Sequence, residues 1–176
     1  AVNTIETGNA SSTVDVETAA APFTSISTRT LDSTGTTAYA SIAIGDDGNP
    51  VISYARTDYP NDELKVYVCS APDCSSGVTR TLVGEQYVQP SVEDTSIVIG
   101  SDGNPVIATH YVSIDGLQLY FCTAADCSSG TSMTLDSTDD FARYGFSLAV
   151  GNDGYPAVAY FAGVGTREGD SIGVHV

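Results

Sequence analysis

The amino-acid sequence predicts an all-β protein that contains three repeats of a four-stranded antiparallel sheet. The first observation is composition: Val, Ile, Thr and Tyr are frequent, and the chain has 17 Gly, one Met and no Trp. β-branched and aromatic residues are typical of strands. The second is a segment that recurs three times, which indicates a repeat architecture. The third is that we find no convincing amphipathic helix pattern along the chain.

The recurring segment predicts a β-hairpin in every repeat. It reads SIAIGDDGNPVISY from Ser41, SIVIGSDGNPVIAT from Ser96 and SLAVGNDGYPAVAY from Ser147. In each copy, alternating apolar residues lead to an Asp-Gly pair, which favours a tight turn because Gly accepts a positive φ. A Pro then starts the second strand, where a missing amide donor is tolerated.

Further strands are predicted after each hairpin. Third strands are expected at 64–69, 117–122 and 172–176, and fourth strands at 78–83 and 131–136. The third copy has no fourth strand of its own, whereas STRTLD at 27–32 resembles the fourth strands VTRTLV and TSMTLD. We therefore expect a permuted order, in which a strand at 24–32 completes the last repeat of its own chain or of a neighbour.

The permuted strand order predicts two regions of the chain and a site for self-assembly. Residues 1–23 are expected to be an N-terminal arm, either a disordered leader or a partner-binding strand, and residues 24–176 a three-repeat β domain. Strand addition uses main-chain hydrogen bonds for affinity, and it would give a ring if it closes or a filament if it does not. The donor residues are Ser27, Thr28, Arg29, Thr30 and Leu31, and the acceptor edge consists of Ile172, Val174 and Val176.

Four cysteines occur in two pairs of equal spacing, Cys69 with Cys74 and Cys122 with Cys127. An even count at a repeated spacing favours two local disulfides in an oxidising compartment. The alternative is a zinc site with four thiolate ligands, which would require the two pairs to converge.

These residues resemble a known class of sequence. TLDS, the segment SIAIGDDGNPVISY and the strand LKVYVC with its second Cys are similar to the tandem repeats of large secreted bacterial repeat proteins. The resemblance implies β-propeller-like sheets and an extracellular location, and it implies no single activity.

The charge balance restricts the partners. Six basic residues stand against 22 acidic ones, for a net charge of −16. Such a surface repels nucleic acid and anionic lipid, and no apolar run approaches the ~18 residues of a membrane span. We expect an extracellular or cell-surface protein that binds no nucleic acid and does not insert into membranes, with Asn9 as a glycosylation acceptor.

The hairpin turns contain the residues that are best suited to bind a metal ion. Asp46, Asp47, Asp102 and Asp153 could contribute oxygens to calcium, but one turn offers only two or three of the ~6–8 that Ca²⁺ takes. Asp is also a common turn residue. The sequence predicts no other cofactor.

No catalytic motif is found in the sequence, and the predicted function is therefore non-catalytic. The first hypothesis is an extracellular structural protein that self-assembles by β-strand exchange into a surface fibre or filament. The alternative is a carbohydrate-binding, lectin-like propeller module. Its contact residues would be tyrosines expected in connecting segments: Tyr39, Tyr59, Tyr87 and Tyr144.

Overall fold

The computed structural model describes residues 28–58, 61–83, 92–111, 116–136, 145–162 and 171–175. These residues form eleven strands in three antiparallel sheets, so the all-β prediction is confirmed for this part of the chain. Within the described ranges, the structure has no helix long and apolar enough to cross a membrane.

Each repeat forms its own sheet. The first sheet has the order β1-β2-β3-β4, the second β5-β6-β7-β8, and the third β11-β10-β9. The strands are β1 Thr37–Ile44, β2 Pro50–Asp58, β3 Asn61–Cys69, β4 Gly77–Val83, β5 Val92–Ile99, β6 Pro105–Tyr111, β7 Gly116–Cys122, β8 Gly130–Asp136, β9 Ser147–Val150, β10 Pro156–Ala162 and β11 Ser171–His175.

The predicted Asp-Gly turns are present in all three hairpins. Gly48, Gly103 and Gly154 have φ values of 79°, 78° and 83°, in the left-handed region that disfavours a side chain. Each turn is followed by the predicted proline at the start of β2, β6 or β10. The Asp-Gly pairs and the prolines therefore predicted these three hairpins correctly.

The sheets pack face to face in chain order. One apolar cluster lies between the first and second sheets and includes Val51, Ala55, Val66, Ile97 and Ile107. A second cluster lies between the second and third sheets and includes Val106, Ala108, Leu148, Val158 and Tyr160. The second sheet is thus covered on both faces, and the described residues form no closed propeller.

In the described part of the predicted 24–32 strand, residues 28–32, no strand is formed. Thr28, Arg29, Thr30 and Leu31 lie outside any strand. Arg29 instead pairs with Asp73 of the first sheet's disulfide loop at 3.1 Å. The prediction that these residues complete the chain's own third sheet is therefore wrong, because the segment lies along the first sheet.

The acceptor edge is only partly described. Ile172 and Val174 lie in β11, whose strand partner is β10, and their register partners there are Phe161 and Ala159. Val176 and Ser27 lie outside the described residues, as do the whole of the 1–23 arm and Asn9. Strand exchange into a neighbouring chain stays a prediction.

Both predicted disulfides are formed. Cys69 is bonded to Cys74 and Cys122 to Cys127, each across five positions. The zinc alternative is thereby wrong, because all four sulfurs are used in covalent bonds. Each bridge closes the connection between the third and fourth strands of its sheet, and closing so short a loop is worth about 2 kcal/mol of stability.

Candidate functional site

The first strands of the first two repeats contain an irregularity at equivalent positions. The register of β1 shifts between Ala38 and Ser41, and that of β5 shifts between Glu93 and Thr95. Tyr39, Asp94 and Gly145 occupy this position in the three repeats, and all have positive φ, at 54°, 69° and 86°. A bulge of this kind bends the strand and redirects a side chain.

Tyr39 therefore lies inside β1 and not in a connecting segment, which corrects the sequence-based prediction. The signal that could have placed it is Gly145 at the corresponding position of the third repeat, since Gly favours a left-handed conformation. The side chain of Tyr39 is exposed.

A cleft of about 300 Å3 lies beside this bulge. One wall is the N-terminal segment Thr30–Asp32, and the other is formed by the first two strands of the first sheet, with Tyr39, Ile52 and Tyr54. The segment thus converts an open sheet face into a concave surface with an aromatic ring at its mouth.

Asp32 is held in place by hydrogen bonds. The backbone N–H and the hydroxyl of Thr34 donate to its Oδ1 at 2.8 and 2.6 Å. The hydroxyl of Tyr54 donates to its Oδ2 at 2.7 Å. The bonds from Thr34, followed by the one from Tyr54, lower the pKa of Asp32 to about 2, because they favour the charged form.

Tyr54 has the opposite shift. Burial raises the pKa of Tyr54 above its usual value, and the hydrogen bond to the Asp32 carboxylate raises it further. Asp32 is consequently ionised and Tyr54 protonated throughout the physiological range. The pair supplies fixed hydrogen-bonding groups and no proton exchange near neutral pH.

An ion network lies on the same sheet. The Lys65 ammonium is 3.0 Å from Oε2 of Glu63, and the guanidinium of Arg56 is 3.2 Å from the same oxygen. Lys65 is buried, and its charge also helps to lower the pKa of Asp32. The network neutralises a buried charge next to the cleft.

Three of the predicted metal ligands accept hydrogen bonds within their own hairpin turns. Oδ1 of Asp47 accepts the Asn49 N–H at 2.9 Å, and its Oδ2 accepts the Asn49 side-chain amide at 2.7 Å. Asp102 makes the same pair of bonds with Asn104. Asp153 accepts the backbone N–H of Tyr155 at 3.2 Å.

Asp46 lies in a second cleft of about 600 Å3, between the first and second sheets. Asp47, Asp102 and Asp126 also line it. Asp126 is paired with Arg80 at 2.8 Å. The described ranges contain no group of three or more His, Cys, Asp or Glu side chains arranged to hold a metal. Calcium binding stays a prediction.

Of the four tyrosines expected to contact carbohydrate, the described residues include only Tyr39. Tyr59, Tyr87 and Tyr144 lie outside the described residues. Asp32 and Tyr54 were not predicted as site residues. Their pairing depends on how the N-terminal segment folds back over β2, and no sequence pattern shows this.

Comparisons with known proteins give a likeness of fold. No protein-family model matches the chain, and no curated protein matches it. The chain is similar in structure to an endo-arabinase from Bacteroides thetaiotaomicron, with a TM-score of 0.53 and 14% sequence identity. The match covers 83% of this chain but 58% of the endo-arabinase chain, so this chain spans little more than half the length of its structural neighbour. At this identity the likeness establishes the three-sheet β architecture and no activity.

Proposed function

We propose that this protein is a non-catalytic, carbohydrate-binding module that holds a neutral glycan in the cleft between the N-terminal segment and the first sheet. The observation that carries the proposal is the pairing of an exposed Tyr39 ring with the ionised Asp32 carboxylate in one concave site.

The chemistry of the cleft suits a sugar. A tyrosine ring offers an apolar face on which the C–H side of a pyranose or furanose can lie. A carboxylate accepts hydrogen bonds from sugar hydroxyls, and charge-assisted bonds are the stronger kind. A volume of about 300 Å3 is at the lower end of small-molecule pockets and fits one or two sugar units.

Charge selects the class of glycan. The net charge of −16 and the ionised Asp32 repel uronate-rich or sulfated chains. The expected ligand is therefore a neutral oligosaccharide. The structural neighbour is an endo-arabinase, an enzyme named for acting on a carbohydrate, which makes arabinose-containing chains the first ligands to test.

A binding role fits the cleft better than hydrolysis. Glycosidases of the common mechanism use two carboxyl groups, about 5–10 Å apart. Among the described residues that line the cleft, Asp32 is the single carboxyl group. An extracellular location is part of this proposal, supported by the two disulfides.

Calorimetric titration with neutral oligosaccharides, arabinan fragments included, tests the proposal with Tyr39→Asn. Asparagine tolerates the positive φ of Tyr39, so this variant removes the ring without straining the bulge. We expect the Kd to rise at least about tenfold, which is 1.4 kcal/mol of lost binding free energy.

The matched control is Tyr155→Asn, which removes an exposed tyrosine from the third hairpin. Its affinity should equal that of the unmodified chain. Absence of binding to every neutral glycan, or equal affinities for the Tyr39 and Tyr155 variants, would contradict the proposal.

A further inference from the structure

The three sheets use one repeated contact. The Ser41 hydroxyl oxygen accepts the backbone N–H of Ile97 in the next sheet at 3.3 Å. Ser96, at the same repeat position, accepts the N–H of Leu148 at 3.1 Å. Each sheet therefore receives its successor through a serine near the start of the recurring hairpin segment.

Apolar packing follows the same repeat. Ile97 and Leu148 occupy equivalent positions and are buried against the preceding sheet, at 5% and 7% exposure. On the receiving side, Ser53 of the first sheet and Ala108 of the second are fully buried at another equivalent position. An inserting face and a receiving face can thus be assigned to every sheet.

The inserting face of the first sheet is exposed at the end of β1 near the hairpin turn. Ile42 is the counterpart of Ile97 and Leu148, yet it is 61% exposed, and Ile44 is 58% exposed. Both lie on the face of β1 opposite Ser41 and Ala43, since alternate residues point to opposite sides of a strand. Two adjacent exposed isoleucines on a sheet face are typical of an interaction surface.

The receiving face of the third sheet is open as well. Ser147 is the counterpart of Ser41 and Ser96, and its side chain is exposed. Ala159 is the counterpart of Ser53 and Ala108 and is also exposed. The third sheet therefore presents the hydroxyl and small side chain that the first two sheets use to receive a neighbour.

From these two faces we infer that the first sheet of one chain docks on the third sheet of a second copy, and that the contact is reciprocal, giving a closed ring of six sheets. The surfaces match because they are the two halves of a contact that already occurs twice within the chain. Propellers contain about four to eight sheets, and two copies of the three described sheets supply six. A two-fold axis allows both contacts to form at once.

The docking surface adjoins the proposed glycan site on one face of the first sheet, because Ile52, the register partner of Ile42, also lines the cleft. Ile42 and Ile44 lie toward the Asp47-Gly48 turn, whereas Tyr39 and Asp32 lie at the other end of β1. The two proposals therefore use neighbouring parts of one face, but glycan titration of Tyr39→Asn and sedimentation of Ile42→Glu test them separately.

Sedimentation equilibrium of the full chain tests the inference. We expect the mass of two chains, with association that strengthens as salt rises, because two chains of charge −16 repel each other less when screened. Ile42→Glu and Ala159→Glu should each weaken association at least about tenfold, since each places a carboxylate in the contact. Met133→Glu, at an exposed apolar residue of β8, is the matched control and should stay dimeric.

Mixing the two defective variants adds a stringent test. A mixed pair of Ile42→Glu and Ala159→Glu chains contains one contact with neither substitution, so the mixture should associate more strongly than either variant alone. A monomeric unmodified chain would overturn the inference. So would a dimer that Ile42→Glu disrupts and Ala159→Glu leaves intact, because that pattern means two first sheets face each other.

Discussion

Asp32 is the residue on which the cleft depends. It fastens the N-terminal segment to the first sheet through Tyr54, and it accepts two hydrogen bonds from Thr34. Its ionised form is therefore favoured by the folded state. The same bonds that define the binding surface should also be visible in the acid stability of the protein.

Replacement Asp32→Asn should lower the free energy of unfolding by about 1 kcal/mol at pH 7, the usual size for partly exposed hydrogen bonds to a charged group. The folded pKa of about 2 is below the ordinary 3.8, so this stabilisation is complete above about pH 4. It is lost as the pH falls toward 2. Urea denaturation of both chains at pH 7 and pH 2 measures this difference.

The difference between the two chains should be small at pH 2, where the unfolded-state carboxyl is almost fully protonated and the folded-state one about half protonated. Tyr54→Phe removes only the bond from the phenol and should have a smaller effect than Asp32→Asn at pH 7. A gap between Asp32→Asn and the unmodified chain that stays constant from pH 7 to pH 2 would contradict the assignment.

At the scale of single elements, the disulfide connection in each of the first two repeats ends in a crowded glycine. A Cβ added to Gly130 would clash with Cε1 and Cζ of the Tyr120 ring and would lie 2.6 Å from the carbonyl oxygen of Phe121. Gly77 has the same surroundings in the first sheet, formed by Tyr67 and Val68. The glycine therefore lets the fourth strand pass close to the third.

Gly130→Ala should destabilise the protein by about 2–3 kcal/mol, because the Cβ meets backbone and ring atoms that cannot move without disturbing β7. Gly48→Ala is the comparison, since no atom lies within 4 Å of its added Cβ and only the positive φ opposes the substitution. That change should cost about 1 kcal/mol. Equal midpoints for the two variants in thermal unfolding would show that the contact at Gly130 is unimportant.

Sequence patterns predicted the elements with strong local signals and missed those that depend on packing. The three hairpins follow from Asp-Gly turns and prolines, and the disulfides follow from a repeated spacing. STRTLD at 27–32 has a strand-like composition, yet Arg29 and Asp32 bind partners on the first sheet. Local composition does not show that these side chains bind the first sheet instead of forming a strand in the third. For the same reason, the cleft could not be predicted.

For the whole molecule, the organising feature is one contact between sheets, repeated along the chain. The contact is made once at Ser41 and once at Ser96. Ile42 of the first sheet and Ser147 of the third occupy the corresponding positions and are exposed. A heterologous contact of this kind either closes into a ring or continues as a filament. The inferred two-chain ring joins the sheets by packing their faces and requires no exchanged strand.

Electron microscopy of the purified protein tests this repeated contact most directly, because class averages show the number and arrangement of sheets. The account predicts closed particles with six sheets around a central axis. Isolated arcs of three sheets, or filaments that do not close, would contradict it.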